Sequence, residues 1–192
     1  MDADDPLVRY LSVGRDTLRA KLEGCSEHDL RRPLTPTGTN LLGLAKHVAS
    51  VVVEYVTLPF GRPNPVLLPW SAADAEVNAD LWAPAAESTA ELLALWDAAW
   101  AEVAVAVAEL GADTPGRVPW WGAAGEVTFG RVLVHCIAEV HRHAGHADIV
   151  RELVDGSIGW SERSPNLPAD ASDTAFWSAH RARVQQAADR FS

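Results

Sequence analysis

Four of the chain's seven histidines fall within twelve residues: His135, His141, His143 and His146. On a helix, which turns about 100° per residue, His135, Glu139, His143 and His146 follow steps of four, four and three and share one stripe, while His141 points elsewhere. Glu139 and His143 then sit one turn apart, so that a carboxylate oxygen and an imidazole nitrogen can reach one divalent ion at about 2.0–2.2 Å. A third ligand has to come from another helix. His47 is the best donor, because it lies on the stripe of Gly43, Leu44, Val51 and Glu54, the core-facing side of its own segment. Two imidazoles and one carboxylate with no evident fourth protein ligand describe an open site, which keeps a position for water or substrate. That donor set accepts several first-row ions.

Other chemistries are poorly served. There is no HExxH pair, no Glu-x-x-His pair with matching acids, no GxSxG elbow and no Walker loop. A single core histidine is usually only hydrogen-bonded, so His28, His141 and His180, which lack in-stripe neighbours, are read as surface residues. Cys25 and Cys136 lie far apart without CxxC spacing, and Cys136 sits among apolar residues where a thiol is inert. Trp96 and Trp100, one turn apart, read as core, whereas Trp120 and Trp121 either line a pocket mouth or pack. Arg142 is expected to ion-pair internally, and Asp148, Arg151 and Glu152 to be surface charges.

The elements that must hold these residues are helical. Asp5-Pro6 opens a helix with Leu7, Leu11 and Leu18 that runs to Gly24, and Ser26 to Asp29 starts a short turn before Pro33. Asn40 caps a second long helix, carrying His47 and Tyr55 and ending before Pro59. Residues 59–86, with six prolines or glycines in Pro59, Gly61, Pro63, Pro65, Pro69 and Pro84, form a long irregular connection with at most a short helix near Ala72 to Asp80. Ser88 caps a helix stopped at Gly111, and a second irregular stretch, Thr114 to Gly125, precedes a helix from Thr128 to about Asp155. Residues 156–170 form another connection, and Asp173 caps a last helix. No strand alternation and no repeat is visible. The expected fold is all-α: a single domain over 1–192, a four-helix bundle with an additional C-terminal helix and long irregular connections.

The 192 residues carry 16 Lys+Arg against 26 Asp+Glu, a formal charge of −10, which repels phosphate backbones and anionic lipid. No nucleic-acid or membrane partner is expected. The acidic start Met1 to Pro6 lacks a signal-peptide pattern, and the apolar run Val48 to Val56 is shorter than the roughly 20 residues of a span. A cytoplasmic protein is expected.

The segment from Thr39 to His47 (Thr39-Asn40-Leu41-Leu42-Gly43-Leu44-Ala45-Lys46-His47), followed much later by the run from His135 to Glu152, resembles the DinB/YfiT-like metalloenzymes. The nearest branch is one of unknown function related to mycothiol-dependent maleylpyruvate isomerase, and the likeness extends to Phe60-Gly61-Arg62-Pro63 and Pro119-Trp120-Trp121. It implies a four-helix bundle holding a divalent metal, commonly zinc or nickel, on His47, Glu139 and His143, with mycothiol as a co-substrate. Many family members have histidine where this chain, like the mycothiol-linked branch, has Glu139. His146 stands where others often carry glutamine, and a homodimer is common in the family. The chain ends after one bundle and lacks the extra domain of the isomerase, so that enzyme's substrate does not carry over.

Together these readings give a metal-dependent enzyme acting on an electrophilic small molecule with a low-molecular-weight thiol. His146 and His135 are the catalytic candidates, for moving protons or orienting a ligand. A metal-dependent hydrolase and a non-catalytic metal- or ligand-binding bundle are the rival readings.

Overall fold

The computed structural model describes residues 1, 4–159, 167–168 and 173–191, and the chain falls into two units, Met1–Ser157 and Ile158–Ser192. In the first unit, each long helix begins at a side-chain cap. Asp5 accepts from Leu7 N to start α1 (Pro6–Ala20), and Ser26 caps the short α2 (Glu27–Arg31). Asn40 accepts from Gly43 N to start α3 (Leu41–Thr57), and a Ser88/Glu91 capping box starts α4 (Thr89–Glu109). Thr128 caps α5 (Phe129–Asp155), which Gly156 closes at φ 78°, the left-handed conformation that glycine adopts without steric cost.

Helix α3 is the centre of the bundle. Leu42, Val48, Ala49, Val52, Val53 and Val56 have no accessible surface, and the helix packs on α4 along one side and α5 along another. Burying each such leucine or valine side chain contributes about 1.5–3 kcal/mol. The run Leu41–Phe60 is long and apolar enough to cross a membrane, but 78% of its hydrophobic window is buried inside the protein, as suits a core helix. Helix α1 packs on α5 in the same direction: His141 Nε2 donates to Tyr10 O at 2.9 Å, and Lys21 Nζ pairs with Asp148 at 2.8 Å. Trp96 and Trp100 are buried on α4 with ring centroids 5.6 Å apart.

Several expectations need correction. The first helix stops at Ala20, and hydrogen-bonded turns carry the chain to Gly24. The connection after α3 is irregular, as expected, with single 3-10 turns at Leu58–Phe60 and Pro69–Ser71 and no helix at Ala72 to Asp80, where at most a short one was expected. A small antiparallel hairpin was not foreseen: β1 (Pro115–Arg117) pairs with β2 (Glu126–Thr128) in the register Pro115↔Thr128. Between its strands runs a 3-10 segment, Pro119–Ala124. His141 is bonded to α1 rather than free, and Asp148 and Arg151 tie helices together instead of only solvating a face. Arg151 Nη1 donates to Lys21 O at 2.9 Å and Glu23 O at 2.7 Å. Arg142, in contrast, is exposed and makes no ion pair among the described residues.

In the second unit, Asp173 caps α6 (Thr174–Ala188), where the rings of Phe176, Trp177 and His180 pack together. Most of the expected connection 156–170 lies outside the described residues.

Candidate metal centre

Helices α3 and α5 run antiparallel at their contact, which brings the middle of each into register. His47 Nε2 lies 3.5 Å from Glu139 Oε1, and His143 Nε2 lies 3.0 Å from the same oxygen. The rings of His47 and His143 meet edge to face with centroids 4.6 Å apart. The three donor atoms all fall within 4.8 Å of one another. Tetrahedral ligands at about 2.0–2.2 Å from an ion stand about 3.4 Å apart, so these spacings and this donor set fit a divalent cation. The side chains keep 17%, 27% and 12% of their surface exposed, which leaves one side of the cluster reachable from solvent.

Electrostatics keep the cluster ready for a cation. Burial raises the Glu139 carboxyl, but hydrogen bonds and charge from His143 and His47 outweigh it and hold the group below its ordinary value. Burial, joined by the neighbouring His47 charge, lowers His143 and favours the neutral imidazole that a metal requires.

A fourth residue completes the arrangement. His47 Nδ1 donates to Asp80 Oδ2 at 2.6 Å, so that when the ring gives up its second proton the tautomer that remains has its Nε2 lone pair facing Glu139. Asp80 comes from the irregular connection, and Lys46 holds that segment in place. Lys46 is 1% exposed, and its Nζ donates to Ala79 O (2.8 Å), Trp82 O (3.0 Å) and Glu87 Oε2 (2.7 Å) while lying 3.9 Å from the Trp70 ring centroid. Asn40 Nδ2 reaches Leu81 O at 3.4 Å. Neighbouring positions on α3 thus serve two tasks: residue 46 docks the loop and residue 47 faces the cluster.

The other histidines separate into two roles. His146 is exposed, and its Nδ1 lies 3.3 Å from His143 Nδ1, so it supports His143 from the far side of the ring. His135 is not at the cluster. One turn before Glu139 on α5, it packs against Tyr55 and Trp121, with centroids 4.6 Å and 4.9 Å away. Trp120 Nε1 and Trp121 Nε1 both donate to the Tyr55 hydroxyl at 3.0 Å. Sequence reasoning missed Asp80 and Tyr55. The spacing His47, Val51, Tyr55 puts the tyrosine on the His47 stripe and could have found it, while nothing local marks Asp80.

Comparisons with known proteins agree with this architecture. No curated protein matches the chain. A crystal structure of a conserved protein from Enterococcus faecalis superposes with a TM-score of 0.65 at 16% identity, covering 82% of this chain and 99% of that one, a likeness of fold. The family model described as mycothiol-S-transferase matches residues 6–156, the whole span of α1 to α5. A mostly helical DinB-like bundle, a His/Glu/His cluster between its α3 and α5, and that match place the chain in the mycothiol-S-transferase family.

Proposed function

We propose that the protein is a cytoplasmic, divalent-metal-dependent enzyme that joins a low-molecular-weight thiol of the mycothiol type to an electrophilic small molecule. The observation that carries this reading is the convergence of His47 Nε2, Glu139 Oε1 and His143 Nε2 on one point in a chain of the mycothiol-S-transferase family. These three residues would hold the ion, with zinc or nickel suiting the mixed nitrogen and oxygen set. When bound, the ion would lower the pKa of a coordinating thiol so that thiolate exists at neutral pH.

The remaining residues of the chain position that chemistry. Asp80 holds His47 in the required tautomer, and His146 does the same for His143 while offering an exposed imidazole for proton exchange with solvent. The chain's own thiols are unsuited as nucleophiles: Cys136 is fully buried, and burial also raises Cys25. The nucleophilic sulfur therefore comes from the co-substrate.

Metal content by plasma emission spectrometry tests the site. Wild type should retain about one ion per chain, and His143→Ala and His47→Ala should lose it; stoichiometric retention by both variants overturns the assignment. Assays with mycothiol and a chromogenic electrophile test the reaction, and turnover of esters or amides without any thiol would instead favour a hydrolase.

A further inference from the structure

The geometry of Tyr55 poses a specific question. A phenolic oxygen offers one proton and accepts through its lone pairs, and indole nitrogens only donate. Trp120 and Trp121 both spend their N–H groups on the Tyr55 oxygen, at 3.0 Å each, and no other partner of that hydroxyl occurs among the described residues. Among the described residues the Tyr55 proton is thus left without an acceptor, on an oxygen whose two donors polarise it further. The Tyr55 side chain is itself largely buried.

The surrounding construction is rigid. Directly after the two tryptophans, Gly122 turns the chain at φ 56°, ψ −126°, a conformation close to glycine-only. The hairpin that presents them is clamped below: a Cβ at Gly116 would lie 2.4 Å from Phe60, and one at Gly125 would lie 2.5 Å from Val118 O. Ring edges and faces of Tyr55, Trp120, Trp121 and His135 line the cluster, with the Tyr55 and Trp120 centroids 5.2 Å apart. Trp120 remains 49% exposed, which opens it to solvent.

The position relative to the metal centre is equally specific. His135 precedes Glu139 by one turn, about 6 Å along α5, and Tyr55 follows His47 by two turns, about 12 Å along α3. A flat molecule resting on the aromatic rings would reach from the Tyr55 hydroxyl toward the His47, Glu139, His143 cluster.

We propose that Tyr55, Trp120, Trp121 and His135 form the seat of the electrophile, and that this electrophile is a planar conjugated carbonyl compound whose oxygen accepts the Tyr55 proton in a hydrogen bond. The assignment rests on the thiol-joining reaction proposed above. Addition of a thiol to such a compound forms a C–S bond at the β-carbon and moves the π electrons toward the carbonyl oxygen. The thiol's proton ends on the α-carbon, and neither oxidant nor reductant is consumed. Charge developing on the carbonyl oxygen would meet a donor already aligned for it.

The test needs no thiol and no turnover, so its failure is distinct from failure of the transferase reading. Binding of 2-acetylnaphthalene, a flat ketone without an addable double bond, and of 2-ethylnaphthalene, the same plane without the carbonyl, is measured calorimetrically on the protein as purified. Wild type should favour the ketone by about three- to tenfold, the range of one hydrogen bond. Tyr55→Phe, which keeps the ring, should abolish that preference while retaining metal content and a native far-UV circular dichroism spectrum, with a modest fall in melting temperature from the two unpaired indole N–H groups. Trp121→Phe should reduce the preference by removing one donor, and Trp121→Ala should weaken both probes about tenfold. No binding of either probe to wild type, equal affinity for the two, or an unchanged preference in Tyr55→Phe overturns the proposal.

Discussion

Asp80 Oδ2 accepts the Nδ1 proton of His47 at 2.6 Å, a shorter contact than any that His47 makes to Glu139. A carboxylate behind a metal-facing imidazole fixes the ring and raises its basicity. Asp80→Asn should keep the fold and weaken metal binding by about 10- to 100-fold. Competition against a chromophoric chelator measures this directly. Affinity equal to wild type would mean that the contact only anchors the loop.

Gly43 governs the same loop from below. A Cβ at this position would stand 1.9 Å from Leu81 O and 2.5 Å from Leu81 C, both backbone atoms that cannot rotate away. By helix propensity alone, Gly43→Ala inside α3 should stabilise by about 0.8–1.0 kcal/mol. The clash reverses the sign, and we expect a loss of about 1–3 kcal/mol in denaturant titrations. Because Leu81 adjoins Asp80, the variant should also weaken metal binding in the same assay. A more stable variant with intact metal affinity would show that the loop does not bear on α3 in solution.

The contrast between Asp80 and the candidate ligands explains how far the sequence could be read. The cap residues Asn40, Ser88, Thr128 and Asp173 announced the long helices because a side chain that satisfies free backbone N–H groups must stand at a fixed offset from the first turn. Glu139 and His143 were legible because helical periodicity converts spacing into a shared face. Asp80 reaches His47 across 33 residues of chain rich in proline, placed there by Lys46 bonding to backbone carbonyls, which leave no pattern in residue types. The hairpin escaped for a related reason: strands of three residues, one of them Pro115-Gly116-Arg117, are too short to alternate and carry poor strand formers.

The protein's own thiols should prove inert. Burial, with a smaller contribution from the Glu139 charge, pushes Cys136 up to about 12. At pH 7.5 its thiolate fraction is then on the order of 10⁻⁵–10⁻⁴. Cys25 is raised as well, by burial that outweighs the lowering effect of Arg151. Ellman's reagent should therefore react slowly with the native protein and rapidly with both thiols of the two-cysteine chain in guanidinium. Cys25→Ser should leave thiol-transfer activity within about twofold of wild type. A fast-reacting native cysteine whose loss abolishes activity would relocate the nucleophile from the co-substrate to the chain.

Acidification should act on the metal centre from two sides with one sign. His143 is held below its ordinary 6.5, first by burial and then by the His47 charge, with Glu139 opposing. As pH falls below 6.5, the unfolded chain takes up this proton before the folded one, so the stability tied to the neutral imidazole is lost between 6.5 and the lower folded value. Glu139 lies below its ordinary 4.5 because the two histidines outweigh its burial, so its contribution is present above 4.5 and disappears as pH falls through its folded value. Metal binding demands the same deprotonated forms and steepens the dependence. Melting curves in chelator should show wild type losing stability from pH 7.5 to 5.0, with His143→Gln flatter over the interval from 6.5 to 5.0. Adding the metal should raise the wild-type melting temperature more at pH 7.5 than at 5.0 and leave His143→Gln nearly unmoved. Equal slopes for the two proteins in chelator would show that His143 does not carry the acid sensitivity of the fold.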